Sequence, residues 1–254
     1  MSSFERKQLI GKLIRESGSV SVAWLAKRLG CSVATVRRDL SELEEDGKVE
    51  RTHGGAVLPA HLAVEPAFTE KRTLSETQKA AIGRRVAREL PEGITVYVDS
   101  GTTCLQAGTA LLERGKNRIY TNSIPLLVAG CRFPGQVTAI GGDIRKISQA
   151  LVGGLGQSWM RQLRFDLALM GTSAIREDGE VLTTELREAE MKSLAVARGS
   201  AAWLLADAGK FKGTASVKYA DSSQFTTLYT DTRATAARMT SFQREHKLRV
   251  VRCA

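Results

Sequence analysis

Two groups of residues have types and spacings that suit ligand chemistry. In the first group, Arg37 and Arg38 follow Thr35. Arginine can donate hydrogen bonds to guanine in the DNA major groove, and a threonine methyl can meet the thymine methyl. In the second group, residues 99–103 read Asp-Ser-Gly-Thr-Thr. Hydroxyls and free backbone amides at a helix start suit a phosphate dianion. The first group predicts contacts with nucleic acid, and the second predicts contacts with a phosphorylated molecule.

A helix that begins after Ser32 must position the two arginines. Ser32 can cap this helix, and Gly30 can end the preceding one. At about 100° per residue, Thr35 and Arg38 point away from the apolar face of the helix, while Arg37 lies on its flank. The apolar face is predicted to consist of Val33, Val36, Leu40 and Leu43.

The flanking segments complete a helix-turn-helix with a wing. Residues 21–29 form a second capped amphipathic segment at the spacing of that motif, and a scaffold helix is predicted over residues 4–16. The Thr-His-Gly-Gly of residues 52–55 can join two short strands into a two-stranded wing whose backbone approaches phosphates. The alternative is a pair of surface helices with solvated arginines.

The pattern around the arginines resembles a known family. An arginine pair with Asp-Leu, followed by Leu-Glu, a glycine and Arg-Thr-His-Gly-Gly-Ala, resembles the DeoR-type winged helix-turn-helix of bacterial sugar-operon regulators. The resemblance covers residues 4–57 and implies a sequence-specific transcriptional regulator, more specifically a repressor, of a carbohydrate-utilisation operon. The residues expected to contact double-stranded operator DNA are Ser32, Thr35, Arg37, Arg38, Arg51, Thr52, His53 and Gly54.

Short β-rich runs alternate with helix-length segments in the remainder of the chain, after a helix predicted over residues 70–90. This alternation predicts an α/β domain whose mostly parallel sheet carries helices on both faces. Small and polar residues follow several runs, and the ends of parallel strands form the ligand crevice in such sheets. The predicted strands are 94–98, 118–120, 137–140, 165–170, 201–206, 225–229 and 248–251.

Each strand-end motif also has a plainer interpretation. Residues 99–103 suit an ordinary helix cap, residues 141–142 suit a tight turn, and Asn122 suits a turn. Glu188 and Lys192 stand four residues apart and suit an i,i+4 surface ion pair. The recurrence of such motifs in phase with the strands favours one shared ligand site.

The same motifs extend the family resemblance to the rest of the chain. They resemble the DeoR-family sensor domain, which is similar in fold to ribose-5-phosphate isomerase and glucosamine-6-phosphate deaminase and binds a phosphorylated sugar. The resemblance implies a phosphorylated sugar or sugar derivative as effector, with no cofactor, metal or catalytic residue. The residues expected to contact the effector are Asp99, Ser100, Gly101, Thr102, Thr103, Thr121, Asn122, Gly141, Gly142, Gly171, Glu188, Lys192, Asp207 and Lys210.

The length of 254 residues suits two domains. The predicted division is a winged helix-turn-helix over residues 1–57, a linker over 58–69, and an effector-sensing and oligomerisation domain over 70–254. The net charge of +10 favours a polyanionic partner, but residues 1–58 hold ten Lys/Arg against eight Asp/Glu. The DNA interpretation therefore depends on the motif and its placement. A homo-oligomer, either a dimer or a tetramer, is expected.

The cysteines and the N-terminal residues indicate the compartment. The four cysteines lack metal-like spacing, so free thiols in a reducing compartment are predicted. The first 18 residues are charged throughout and no long apolar run follows, so we expect a cytoplasmic protein without a membrane partner.

Two other function classes fit parts of the sequence. An isomerase-like or deaminase-like enzyme with an appended DNA-binding module can draw acid and base groups from Glu188, Asp207, Lys192 and Lys210. A nucleoid-type protein that binds DNA without an effector is the other alternative. The regulator remains the expected function, since similarity of fold does not carry chemistry with it.

Overall fold

The chain forms two compact units, Met1–Glu65 and Pro66–Ala254. The computed structural model describes residues 2–17, 19–52, 54–57 and 65–254. The predicted linker falls largely on residues 58–64, which lie outside the described residues. The predicted domain boundaries at 57 and 69 therefore stay predictions.

The first unit is a winged helix-turn-helix. It contains three helices and a small three-stranded antiparallel sheet. The sequence did not predict the first of these strands, which lies between the first two helices, because Ser-Val-Ser is too short to show alternation. The elements are α1 (Ser3–Ser17), β1 (Ser19–Ser21), α2 (Val22–Leu29), α3 (Val33–Glu45), β2 (Glu50–Thr52) and β3 (Gly55–Val57), with strand order β1-β3-β2.

Local signals fix the turn between α2 and α3. Gly30 ends α2 with φ 63°, a left-handed conformation that favours glycine, and Ser32 Oγ accepts a hydrogen bond from Thr35 N at the start of α3. Val36, Leu40 and Leu43 are buried as predicted. The prediction that Val33 belongs to the buried face is wrong, since this first residue of α3 lies at the open end of the helix and is 42% exposed.

The second unit is built on a parallel sheet with helices on both faces. Its helices are α4 (Phe68–Thr73), α5 (Glu76–Glu89), α6 (Thr102–Arg114), α7 (Ile124–Gly130), α8 (Gly154–Gln162), α9 (Leu186–Arg198) and α10 (Ala236–His246). Its strands are β4 (Thr95–Val98), β5 (Arg118–Thr121), β6 (Gln136–Ala139), β7 (Asp143–Arg145), β8 (Ala150–Val152), β9 (Phe165–Gly171), β10 (Ala174–Ile175), β11 (Glu180–Thr183), β12 (Gly199–Leu205), β13 (Val217–Asp221), β14 (Thr227–Asp231) and β15 (Arg249–Cys253).

Seven strands form the main sheet in the order β15-β14-β12-β9-β4-β5-β6, and all its pairs are parallel. Each overlaps one of the seven predicted strands, so the predicted fold class is confirmed. Alternate residues of β4 enter the two cores, with Tyr97 in one and Val96 and Val98 in the other. The hairpin β7–β8 and the antiparallel sheet β10-β11-β13 were not predicted, because their strands are mostly too short to show a period.

The predicted helix over residues 70–90 is wrong as one element. It divides into α4 and α5 at Ser75, which has φ 54°, and Arg233 Nη2 donates to Ser75 Oγ over 3.0 Å. The apolar period in the sequence covered α5 alone. At the other end of α4, Phe68 N donates to Ile147 O over 2.7 Å, so α4 is anchored near the hairpin β7–β8.

The sheet order brings separate loops together. Strands β4 and β9 are hydrogen-bonded neighbours and run parallel, so the residues that follow them meet at the same edge. Across the described residues, no helix is both long enough and apolar enough to cross a membrane.

Candidate functional site

The outward face of α3 carries the predicted DNA-contacting residues. Arg37 and Arg38 are exposed, and the Arg38 side chain is 85% exposed, with Glu42 Oε1 at 3.5 Å from its Nε. Thr35 is half-buried, and its hydroxyl lies 2.8 Å from Ser32 Oγ. Ser32 thus orders the start of the helix, and the two arginines extend away from the core of the unit.

Two ion pairs that the sequence did not predict join α3 to α1. Asp39 is 2% exposed, and its carboxylate accepts bonds from Arg6 Nε (2.5 Å) and Nη2 (2.8 Å). Lys7 Nζ donates to Glu42 Oε2 over 2.7 Å, and that hydrogen bond lowers the pKa of Glu42. Charged pairs as well as apolar packing therefore hold α3 against α1.

The wing presents the remaining DNA-contacting candidates. Arg51 Nη1 donates to Ser41 Oγ over 2.8 Å, which places this arginine beside α3. Thr52 and Gly54 are exposed. His53 lies outside the described residues. The glycine that the wing requires is Gly55, since a Cβ there would lie 1.9 Å from Val20 O, whereas a Cβ at Gly54 would meet nothing within 4 Å.

A pocket in the second unit forms at the ends of β4 and β9. It brings together eight of the fourteen predicted effector-contacting residues, from four segments that are distant in the sequence. These are Ser100, Gly101, Thr102, Thr103, Gly171, Glu188, Lys192 and Lys210.

The start of α6 supplies hydrogen-bond donors to this pocket. Gly101 is the N-cap residue, and no side chain caps α6 within this fully described part of the chain. The first-turn amides therefore remain available to a ligand beside the hydroxyls of Thr102 and Thr103. Ser100, Thr102 and Thr103 are all buried. This arrangement suits an anion with several acceptor oxygens, such as a phosphate group.

A buried ion pair lies beneath the start of α6. Asp99 Oδ2 accepts bonds from Lys192 Nζ (2.5 Å) and Gly171 N (3.1 Å). Burial lowers the pKa of Lys192, but the carboxylates of Asp99 and Glu188 outweigh burial and leave this pKa raised. Asp99 itself does not line the pocket, so its predicted effector contact becomes an indirect role in which it holds Lys192 and Gly171.

Glu188 has its own partners at the pocket wall. Arg145 Nη1 lies 3.1 Å from Glu188 Oε1, and Thr183 Oγ1 donates to Glu188 Oε2 over 3.2 Å. Glu188 and Lys192 are each 6% exposed. The alternative that they form a surface ion pair is therefore wrong.

Five further predicted effector residues do not line the pocket. Thr121 Oγ1 donates to Val98 O, and Asn122 bonds Tyr97 and Leu151. These two side chains tie strand ends together, and so they are engaged inside the fold. The other three residues are Gly141, Gly142 with φ 146°, and Asp207, which caps a 3-10 turn at Ala208–Lys212 by accepting from Gly209 N over 3.0 Å.

Several pocket residues were not predicted. Thr172 and Ser173 belong to the same strand-end motif as Gly171, but only Gly171 of the three was predicted to contact the effector. Phe68, Lys71, Ser148 and Thr183 come from segments without a strand-end motif. Among the described residues, no group of three or more His, Cys, Asp or Glu side chains is placed to hold a metal ion.

Both units match family descriptions. Residues 6–61 match the DeoR-like helix-turn-helix domain, and residues 74–232 match the DeoR C terminal sensor domain. The HTH-type transcriptional regulator GlpR of Haloferax volcanii is 35% identical over 227 residues, which cover 89% of each chain. The glycerol-3-phosphate regulon repressor of Escherichia coli K12 is 32% identical over 91% of this chain and 92% of the relative.

The chain also aligns weakly with an enzyme structure. Ribose 5-phosphate isomerase A of Methanocaldococcus jannaschii aligns with a TM-score of 0.41 at 11% identity, over 54% of each chain. A likeness of this size carries no argument about activity. The strand order and the family match therefore define the fold.

Proposed function

Because the chain belongs to the DeoR family of transcriptional regulators, we propose that it represses a carbohydrate-utilisation operon and responds to a phosphorylated sugar. The relatives named above support this proposal, since they are transcriptional regulators and one is the repressor of a glycerol-3-phosphate regulon. The observation that carries the proposal is the joint presence in one chain of an exposed arginine pair on α3 and a donor-rich pocket at the start of α6.

Helix α3 would read the operator. Its exposed arginines can donate to guanine O6 and N7 in the major groove, and Thr35 can contact the adjacent bases. Arg51, Thr52 and Gly54 of the wing would contact the phosphate backbone or the neighbouring groove. The ion pair of Arg6 with Asp39 supports this role, because it fixes the helix that carries the reading residues.

The pocket at the start of α6 would hold the effector. The first-turn amides and the hydroxyls of Thr102 and Thr103 suit the phosphate, with Lys210 adding positive charge from the pocket wall. Lys192 has a positioning role, because its ammonium is engaged by Asp99. Glu188 and Thr183 lie where hydroxyl groups of the sugar would meet them.

The arrangement supports binding over catalysis. A general acid or base must reach the substrate with a proton to give or take. Lys192 donates to Asp99, Glu188 is engaged by Arg145 and Thr183, and Asp207 accepts from the backbone of the turn that it caps. Three of the four groups that the alternative enzyme would use are therefore engaged by other residues within the fold, and we propose that the protein is not an enzyme and needs no cofactor.

A homo-oligomer in the cytoplasm, either a dimer or a tetramer, would present two α3 helices to an operator with two half-sites. Leu155 and Trp159 stand four residues apart on α8, so they share one face of that helix, and this exposed apolar pair supports self-association. Ile144 and Leu186 are further large apolar side chains that are exposed in the second unit.

Fluorescence anisotropy tests the proposal directly. The full chain is titrated onto DNA from upstream of its own operon and onto scrambled DNA, with and without a panel of phosphorylated sugars. We expect specific binding that one compound weakens. Tight binding that ignores both the sequence and every compound would instead indicate the nucleoid-type alternative, and turnover of a panel compound would indicate the enzyme.

A further inference from the structure

Two segments border the pocket from outside the strand-end loops. The first is α4, which contributes Phe68 and Lys71, and the second is the turn of the hairpin β7–β8, which contributes Ser148. Neither segment has a ligand motif in the sequence. Both are joined to each other by the hydrogen bond from Phe68 N to Ile147 O.

The turn of the hairpin is tightly constrained. Gln149 has φ 51°, and its amide donates to Lys146 O over 3.3 Å. Gln149 O accepts from Ile124 N over 3.0 Å at the start of α7. At the base of the same hairpin, Arg145 reaches Glu188 in the pocket wall. The position of residues 146–149 is therefore set by contacts on both sides of the turn.

Ser148 indicates which ligand group this side of the pocket can bind. Its side chain is buried, with 5% of the residue exposed, and its Oγ finds no hydrogen-bond partner among the described residues. A buried hydroxyl without a partner is destabilising and is uncommon in folded proteins. Because Ser148 lines the pocket, a hydroxyl or carbonyl oxygen of a bound ligand can complete its hydrogen bonding.

Contacts near both ends hold helix α4 in place. Phe68 is 3% exposed and anchors the first turn. Lys79 Nζ donates to Lys71 O near the last turn. The Lys71 side chain lines the pocket between these anchors, so a ligand phosphate in the pocket lies within the field of its charge.

From these contacts we infer that Lys71 and Ser148 are effector-binding residues, Lys71 for the phosphate and Ser148 for a hydroxyl of the sugar. The inference rests on the proposed function and specifies how the effector acts. By contacting both segments, the effector reinforces the link that the hydrogen bond from Phe68 N to Ile147 O already makes between α4 and the hairpin turn. Helix α4 begins three residues after Glu65, the last residue of the DNA-binding unit, so the fastened segment is where the chain enters the effector unit.

Hydrogen–deuterium exchange of the full chain tests the inference without knowledge of the natural effector. Inorganic phosphate is the probe, with chloride at matched ionic strength as the control. We expect phosphate to slow exchange by about tenfold in α4 and residues 146–149, together with the start of α6, because a ligand that binds the folded form suppresses local opening.

Matched substitutions test the two residues separately. Lys71→Ala is expected to weaken phosphate binding about tenfold, Lys71→Arg to retain most of the affinity, and Lys116→Ala at an exposed lysine to change nothing. Glycerol 3-phosphate, a small phosphate with free hydroxyls, is the probe for Ser148. Ser148→Ala should remove the affinity advantage of glycerol 3-phosphate over inorganic phosphate. Ser158→Ala, at an exposed serine, should leave that advantage unchanged.

The outcomes separate this inference from the proposed function. If phosphate protects the start of α6 but leaves α4 and residues 146–149 unchanged, the effector pocket stands and the inference is overturned. Equal affinities in Lys71→Ala and Lys116→Ala, or in Ser148→Ala and Ser158→Ala, would also overturn it. If neither probe protects any segment, the effector pocket itself is wrong and the proposed function fails with it.

Discussion

The proposed DNA-contacting face of α3 and the proposed effector pocket use charged residues in opposite ways. Arg38 extends into solvent, and its nearest carboxylate oxygen is 3.5 Å away. Lys192 and Asp99 are buried and lie 2.5 Å apart. A residue that must meet a large external partner has to be exposed and can change at little cost to folding. A residue that shapes a pocket is enclosed, and so it supports the fold as well as the ligand.

The buried pair provides the largest expected effect. Lys192→Met leaves Asp99 as an uncompensated buried carboxylate, and we expect the free energy of unfolding to fall by about 3 to 5 kcal/mol. Urea unfolding of the full chain measures this change. The double variant Lys192→Met with Asp99→Asn should recover much of the loss, because both charges are gone. A loss below about 1 kcal/mol in the single variant would show that the pair is not coupled to folding.

Gly55 is a position in the winged helix-turn-helix unit where we expect a substitution to destabilise the fold nearly as much as at the buried ion pair of the pocket. Gly55→Ala would put a Cβ 1.9 Å from Val20 O and force β1 away from β3, so we expect a loss of about 2 to 3 kcal/mol in the free energy of unfolding. Gly54→Ala is the matched control, with an expected change within about 0.5 kcal/mol. Chemical denaturation measures both variants, and equal stabilities would contradict the close approach of the two strands.

Lys79 is a second buried charged residue in the second unit, and its burial predicts a pH dependence of stability. It is 2% exposed, and burial lowers its pKa from 10.5 to about 8. The folded protein then releases this proton near pH 8, whereas the unfolded chain holds it until about pH 10.5. The unfolded state therefore binds more protons between these values, so the free energy of unfolding rises with pH there, by about 1 to 3 kcal/mol.

Urea titrations across that pH range measure the rise. Lys79→Met should flatten the pH dependence, because the titrating group is removed. Lys116→Met at an exposed lysine should keep it. A rise of the same size in Lys79→Met would assign the titration to another group.

Arg38 provides the smallest effect on folding. Arg38→Ala is expected to leave the free energy of unfolding within about 0.5 kcal/mol of the parent, because the side chain is exposed. Its effect falls on the operator complex instead, with a loss of about 1 to 3 kcal/mol in binding free energy. Anisotropy titrations with operator and scrambled DNA measure the loss. Unchanged operator binding would remove Arg38 from the set of base-contacting residues.

The sequence predicted most of the secondary structure, because its signals are local. Ser32 caps α3 and Gly30 ends α2 within a few residues of where each signal stands. The seven sheet strands were found from short apolar runs. The prediction of one helix over residues 70–90 was wrong because Ser75 adopts a left-handed conformation. Arg233, far along the chain, donates a hydrogen bond to the Ser75 side chain in that conformation.

The pocket was predicted only in part. Residues 100–103 follow β4 and Gly171 ends the neighbouring parallel strand β9, so a rule about strand ends found them. The same rule failed for Thr121 and Asn122, because Val98, Tyr97 and Leu151 engage their side chains inside the fold. No rule of this kind could find Ser148, which lies at the turn of a hairpin with three-residue strands.

The sequence by itself determined the family, the winged helix-turn-helix and the alternation of strands and helices, since caps, periods and motifs act over a few residues. Only the tertiary structure decided which charges meet. Lys192 is 93 residues from Asp99, Arg145 is 43 residues from Glu188, and Arg6 is 33 residues from Asp39. Pairing at such separations depends on strand order and helix packing, which no local signal specifies. For that reason the roles of Lys71 and Ser148 become visible in the folded chain alone.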